Sequence, residues 1–351
     1  MTPRRTVVRR APGKLFVAGE YAVVEPGTPA ILVAVDREVT VTVSEATGAD
    51  TVVSTDLGPR TRTPHVSAAI DTVGRLLTEH GLPAPPLHLS ISSQLHERGR
   101  KFGLGSSGAV TVATISAAAA FSGLALSHDH LFRLALLTTA RIDPNGSGGD
   151  LAASTWGGWI AYRSPDRAFA LDLARRNGVG EALRTEWPGL DVRRLPPPEG
   201  LALEVGWTGT PASTTSLVSD LHRRTWRCSA AHREYVTAAT DLVGAATAAL
   251  ERGDGPHLLH QIRRARHQLA RLDDQVGLGI FTTELTALCD VAESVGSAAK
   301  PSGAGGGDCG IALLDAEAPW DARHVRERWA AAGVRPLTIR PATQRIEESS
   351  A

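Results

Sequence analysis

The chain has 351 residues, 42% hydrophobic and 21% charged, a composition that suits a globular protein of about two domains. Its 37 basic and 37 acidic residues balance, which excludes a global field that would draw nucleic acid or an anionic membrane surface. Three scattered cysteines form neither a CxxC pair nor a secreted framework, and no apolar run follows the N-terminal arginines, so a reducing cytoplasm is expected.

Ala30–Val35 and the alternating Val39, Val41 and Val43 read as neighbouring strands. Pro64 opens a helix to His80 with Val66, Ala69, Ile70, Val73, Leu76 and Leu77 on one face. Leu87–Ser92 reads as another strand. A glycine loop at Gly103–Gly108 feeds a helix from Ser107 to Phe121, and Ser127 caps the next, to Arg141. Phe102 to His128 carries no charge and is long enough for a membrane span, but its small residues suit a closely packed buried helix better. A turn at Asp143–Gly149 precedes a strand at Trp159–Arg163.

Residues 164–200, rich in proline and arginine, read as inter-domain chain with a boundary near 190, giving domains 1–190 and 191–351. The second half begins with a strand at Leu201–Trp207. Helices are expected at 214–226, 230–252, 256–272 and 281–295, then a strand at Gly310–Leu314. A helix over Pro319–Ala332 and a strand over Val334–Arg340 close the domain.

Lysine is rare: Lys14, Lys101 and Lys300 stand against 34 arginines. Each lies in or beside a glycine-rich stretch. Lysine is a compact point charge where arginine is a broad fork, so a lysine kept among so many arginines suggests a site needing the smaller cation. Glycine-loop amides plus an ammonium suit a phosphate. Gly103-Leu104-Gly105-Ser106-Ser107-Gly108 matches GxGxxG, yet the polar Gln94–Lys101 precedes it where a dinucleotide fold needs a strand. No GxxxxGK[ST] occurs, so a Walker loop is excluded. What remains is an anion site at a helix N-terminus. The run Gly303-Ala304-Gly305-Gly306-Gly307 implies close approach of bare backbone to a ligand. Asp150 and Asp308 each follow glycines; either could orient or deprotonate a hydroxyl, and Asp150 could instead cap the helix after it. The histidines form no HExxH or Cys/His cluster; His257, His260 and His267 read as solvated helix positions.

In order, Pro12–Tyr21, Gly103–Ala109 and Ser302–Cys309 resemble the GHMP kinase superfamily over nearly the whole chain. Lys101-Phe102 ahead of the loop, and Trp207–Thr214, are most similar to its phosphomevalonate kinase branch. The resemblance implies an α+β fold of two domains. The first is of the ribosomal S5 domain 2 type with a left-handed β-α-β unit, the second ferredoxin-like. It implies transfer of the ATP γ-phosphoryl group to (R)-5-phosphomevalonate, with Mg2+, in a monomer or homodimer without nucleic-acid or membrane partners. Lys14 would sit at the transferring phosphoryl group and Asp150 at the family's catalytic acid position. Gly103, Leu104, Gly105, Ser106, Ser107 and Gly108 would hold ATP. Glu20, Tyr21, Lys101, Ser147, Ser213, Gly305 and Gly306 would face the acceptor. Mevalonate kinases use a glutamate ahead of the Asp motif as a magnesium ligand, and this chain has no Glu between Glu97 and Glu181. That leaves ATP oxygens, water, Ser107 and Asp150. Mevalonate kinase, diphosphomevalonate decarboxylase and a non-catalytic ligand-binding regulator are the other readings of the same motifs.

Overall fold

A computed structural model describes residues 5–46, 48, 51–56, 64–211, 226 and 229–342. Strand β1 (Thr6–Ala18) pairs antiparallel with β2 (Pro29–Glu45), with irregularities between Pro12 and Lys14 and between Phe16 and Ala18. The two strands expected at 30–35 and 39–43 are this single strand β2. The sequence pattern changes along it because its surroundings do. Pro29–Val35 is buried on both faces, whereas from Val39 onward burial alternates.

The second edge of β2 carries β4 (Leu87–Ser93) on its C-terminal half and β7 (Trp159–Arg163) on its N-terminal half. Strand β3 (Val52–Thr55) extends the sheet beyond β4, in parallel. Helix α1 (Pro64–Glu79) buries the face read from its periodicity, with Thr72 added and Ile70 only partly covered. A two-residue hairpin ladder, β5 (His96–Glu97) with β6 (Arg100–Lys101), occupies the polar stretch before the first glycine loop. Helix α2 (Ser106–Phe121) then runs through the middle of the domain. Its small residues let it pack against β1, β2, α1, α3 (His128–Thr139) and α4 (Gly149–Trp156). The uncharged stretch is therefore a core helix. Among the described residues no helix is long and apolar enough to cross a membrane.

Residues 164–200 are ordered elements. Helices α5 (Arg167–Asn177) and α6 (Val179–Arg184) pack against α3, and α6 also against α1. Strand β8 (Asp191–Leu195) pairs with β7 in the first sheet. The chain changes sheet between Leu195 and Leu201, a few residues beyond the boundary expected near 190. The sequence hides α5 because it buries only Ala170, too little for an apolar period, and hides α6 because its six residues are too few to show one.

The second half is an antiparallel sheet in the order β10-β11-β9-β12, formed by β9 (Leu201–Trp207), β10 (Ala298–Pro301), β11 (Cys309–Asp315) and β12 (Arg335–Leu337). Helices α7 (Ala230–Glu251), α8 (Gly255–Val276), α9 (Thr283–Glu293) and α10 (Pro319–Ala331) accompany it. Strand β10 is short and carried no sequence signal, and β12 spans only three residues of the expected seven. The helix expected at 214–226 lies outside the described residues. The core is continuous between halves: Val205, Trp207 and Ile311 join the cluster that contains Leu15, Phe102 and Leu104. Tyr21 joins Leu269, Leu272, Ile280 and Ala304 in another cluster.

Candidate active site

A cavity of about 560 Å³ is lined by β1, the first glycine loop, the turn before α4 and the second glycine loop. Its geometry starts at the irregularity in β1. Gly13 sits there, and a Cβ on it would lie 2.7 Å from the Leu104 carbonyl. With that approach open, the Lys14 amide donates to the Leu104 carbonyl at 2.9 Å. On the other side Ser154 Oγ donates to the Pro12 carbonyl at 2.7 Å. Strand, loop and α4 are thereby fixed to one another.

Lys14 is only 9% exposed. Its Nζ lies 5.3 Å from the centroid of the Phe16 ring, and among the described residues no carboxylate pairs with it. A nearly buried ammonium without an anion is expensive. Its place on the cavity wall makes an anionic ligand the natural counter-charge.

Gly105 has φ 75° and forms the N-cap of α2. An L side chain is strained there, and its Cβ would meet Lys14 Cγ and Cε at 3.0 Å and Asp150 Cβ at 3.5 Å. Lys14, the loop and Asp150 thus converge at one glycine. Ser106 and Ser107 begin α2 and line the cavity, where the helix dipole favours negative charge. Leu104 does not line it: its side chain is core, and its carbonyl serves Lys14.

Asp150 is not the cap of α4, since Gly148 takes that position and Asp150 follows in the first turn. Its Oδ2 would be 2.5 Å from a Cβ on Gly108, so that glycine admits the carboxylate against the loop. Asp308 also lines the cavity, at φ 52°, but packs on Gly103 at the start of the loop. Its backbone is tied to the turn after β9, accepting from Thr208 at 2.9 Å and donating to Thr210 at 2.8 Å. Residue type and spacing left these aspartates open and only the family resemblance favoured Asp150; in the structure Asp150 adjoins Lys14 across Gly105.

The facing wall is a joint between the halves. Ser302 Oγ accepts from the Phe16 amide at 2.8 Å and donates to the Phe16 carbonyl at 3.0 Å. Tyr21, at φ 60°, donates to the Ala304 carbonyl at 2.5 Å, and burial pushes its phenol well above the usual range. Tyr235 on α7 donates to the Glu20 carbonyl at 3.0 Å. The Glu20 carboxylate pairs with Lys300, which is fully buried and also donates to the Pro301 carbonyl at 2.8 Å. Lys300 is therefore a structural cation, not the phosphate-directed lysine its glycine-rich surroundings suggested.

Glu20, Tyr21, Lys101 and Ser147 line the cavity. Ser147 is held by Tyr162, whose hydroxyl donates to its carbonyl at 2.6 Å. Gly303 and Ala304 line it, but Gly305 and Gly306 turn away: Gly305 packs on Ile280, and the Gly306 amide donates to the Ile280 carbonyl at 2.9 Å. Ser213 lies outside the described residues. The lining also includes His65, Thr139, Asp143 and Asn145, which no motif announced. No group of three or more His, Cys, Asp or Glu placed to hold a metal ion occurs among the described residues.

Two family descriptions match the chain: GHMP kinases N terminal domain over residues 65–158 and GHMP kinases C terminal over 246–334. The phosphomevalonate kinase of Streptomyces sp. (strain CL190) is 66% identical, over 98% of this chain and 100% of that protein. The mevalonate kinase of Pyrococcus abyssi is 29% identical over 98% of each. Among solved structures, a protein from Listeria innocua superposes with a TM-score of 0.90 at 32% identity, over 98% of this chain and 100% of that one. Phosphomevalonate kinase of Streptococcus pneumoniae, in complex with phosphomevalonate and AMPPNP, gives 0.86 at 27% identity, over 96% and 100%. The chain belongs to the GHMP kinase family and has its two-domain α+β fold.

Proposed function

We propose that this chain is a phosphomevalonate kinase, moving the γ-phosphoryl group of ATP onto (R)-5-phosphomevalonate to give 5-diphosphomevalonate and ADP for isoprenoid synthesis. The observation that carries the chemistry is the nearly buried Lys14, without a carboxylate partner among the described residues, between the serine-glycine loop and Asp150. The acceptor is assigned from the full-length 66% identity to the Streptomyces enzyme.

The acceptor in this reaction is already a phosphate, so it needs no strong base. The barrier is the approach of two anions, and positioning with charge stabilisation does most of the work. The amides and hydroxyls of Ser106 and Ser107 hold the nucleotide phosphates at the α2 N-terminus. Lys14 stands where charge develops during transfer. Asp150, which adjoins Lys14 across Gly105, orients the incoming group. Glu20, Tyr21, Ser147 and Lys101 surround the acceptor. The residues suit Mg2+, which arrives with nucleotide oxygens and water and needs few protein ligands. Ser107, which lines the cavity, and the Asp150 carboxylate, which lies against the side-chain-free Gly108, would hold it. When bound, the ion neutralises phosphate charge. A cytoplasmic setting suits Cys289 and Cys309, which are free and buried.

The test is ADP release by purified protein offered mevalonate, its 5-phosphate or its 5-diphosphate. Turnover with the 5-phosphate alone is expected. Preference for mevalonate or for the 5-diphosphate would replace the assignment with the corresponding relative. ATP binding without ADP release on any acceptor would make the chain a regulator.

A further inference from the structure

We propose that Ser154 is a positioning residue for phosphoryl transfer, its hydroxyl setting Lys14 against Asp150. The inference rests on the kinase reading above, in which Lys14 and Asp150 act on the transferring group. Ser154 lies in α4, four residues after Asp150, so the two share one face of the helix. It is 4% exposed and does not line the cavity. A hydroxyl buried inside a helix commonly donates to the carbonyl four residues back. Thr72, Thr111 and Thr138 are buried in helices of this chain and do so, to Ala68, Ser107 and Leu134 at 2.7, 2.8 and 2.8 Å. For Ser154 that carbonyl would belong to Asp150. Its Oγ donates instead to the Pro12 carbonyl, 142 residues away in sequence, at 2.7 Å.

The bond reaches β1 where the strand needs an anchor. The register of β1 on β2 breaks between Pro12 and Lys14, so the ladder does not by itself fix where Lys14 stands. Two hydrogen bonds flank the break. The Lys14 amide donates to the Leu104 carbonyl at 2.9 Å and ties Lys14 to the first glycine loop. Ser154 ties the strand to the helix that carries Asp150. The fit between them is close, since a single Cβ on Gly105 would meet Lys14 at 3.0 Å and Asp150 at 3.5 Å. The turn before α4 is held separately, by the Tyr162 hydroxyl on the Ser147 carbonyl at 2.6 Å. Ser154 therefore acts on the relation of Lys14 to Asp150 and leaves Ser147 in place.

The experiment is a double-mutant cycle of Ser154→Ala with Lys14→Met. It reads kcat and both KM values from ADP release with 5-phosphomevalonate, AMPPNP affinity from calorimetry, and Tm without ligand. Ser154→Ala is expected to lower kcat about tenfold, part of the loss that an ångström of misplacement brings. The KM for ATP, the KM for 5-phosphomevalonate and the AMPPNP affinity should stay within about twofold. In the Lys14→Met background the same change should lower kcat no further, because nothing is left for the hydroxyl to place. Ser154→Cys fills the same space with only a weak donor and should show the same fall, which keeps the reading available if the alanine variant does not fold.

A kcat near that of the parent in a folded Ser154 variant would overturn the proposal. So would an equal fall of kcat with and without Lys14, a rise confined to either KM, or failure of both variants to fold; each would make the hydroxyl structural. If the parent chain releases ADP only on another acceptor, the acceptor assignment falls, and the same cycle on that acceptor still decides the role of Ser154. If it releases none, the kinase reading and this proposal fall together.

Discussion

Lys14 and Lys300 are both buried lysines beside glycine-rich loops, and they do opposite things. Lys300 is fully enclosed and paired with Glu20, so its charge is spent inside the protein joining the two halves. Lys14 has an aromatic face beside it and no carboxylate partner among the described residues, so its charge is directed at whatever enters the cavity. The loops differ in the same sense. In the first, Gly105 and Gly108 lack side chains so that Lys14 and Asp150 can approach. In the second, Gly305 lacks one so that Ile280 can pack. Two glycine-rich loops thus make room for different things, the first for Lys14 and Asp150 and the second for Ile280.

Removing the paired lysine should be the harshest test of that contrast. Lys300→Met strands the Glu20 carboxylate in the interior, and about 3–5 kcal/mol of stability should disappear from denaturant unfolding. Adding Glu20→Gln should restore most of it, because both charges are then gone. No recovery in the double variant would mean that the pair is not what links them.

Lys14→Met should leave the fold intact and lower kcat by about 10²–10³, the range for losing a group that stabilises transition-state charge. Its ATP KM should move little, and Lys14→Arg should fail to rescue turnover because the fork does not fit beside Gly105. A kcat near that of the parent would remove Lys14 from the reaction.

The glycines sharpen the comparison further. In Gly108→Ala the new methyl would meet Asp150 Oδ2 at 2.5 Å and push the carboxylate aside. Turnover should fall on the order of 10²-fold, as for an ångström-scale misplacement, with little change in Tm since alanine suits a helix. Gly305→Ala should do the reverse. Its φ is 70° and its Cβ would meet Ile280 at 2.5 Å, so stability should drop by about 1–3 kcal/mol. Its kcat should change less than that of Gly108→Ala; an equal loss of turnover would erase the distinction between the loops.

Much of the fold was legible. The helix from Pro64 showed its apolar face, and Ser127 announced the helix it caps, accepting from the His130 amide at 3.1 Å. Helices 167–184 were not legible, because Arg167–Asn177 buries only Ala170 and Val179–Arg184, though well buried, is too short to display a period. Within the site, Lys14, Ser106, Ser107 and Asp150 stood out through glycine motifs. His65 did not, because what marks it is its place on the cavity wall, and that exists only once α1 lies near Lys101 and the turn before α4.

By itself the sequence singled out the groups proposed for phosphate chemistry: rare ammonium side chains, serines at a helix start, and glycines where main chain must come close. These are local properties of residue type and spacing, and they survive without coordinates. Only the tertiary structure decided which of two aspartates adjoins Lys14, and which buried lysine faces a ligand and which a glutamate. Those outcomes depend on contacts between residues as far apart as Glu20 and Lys300, and packing alone sets such distances.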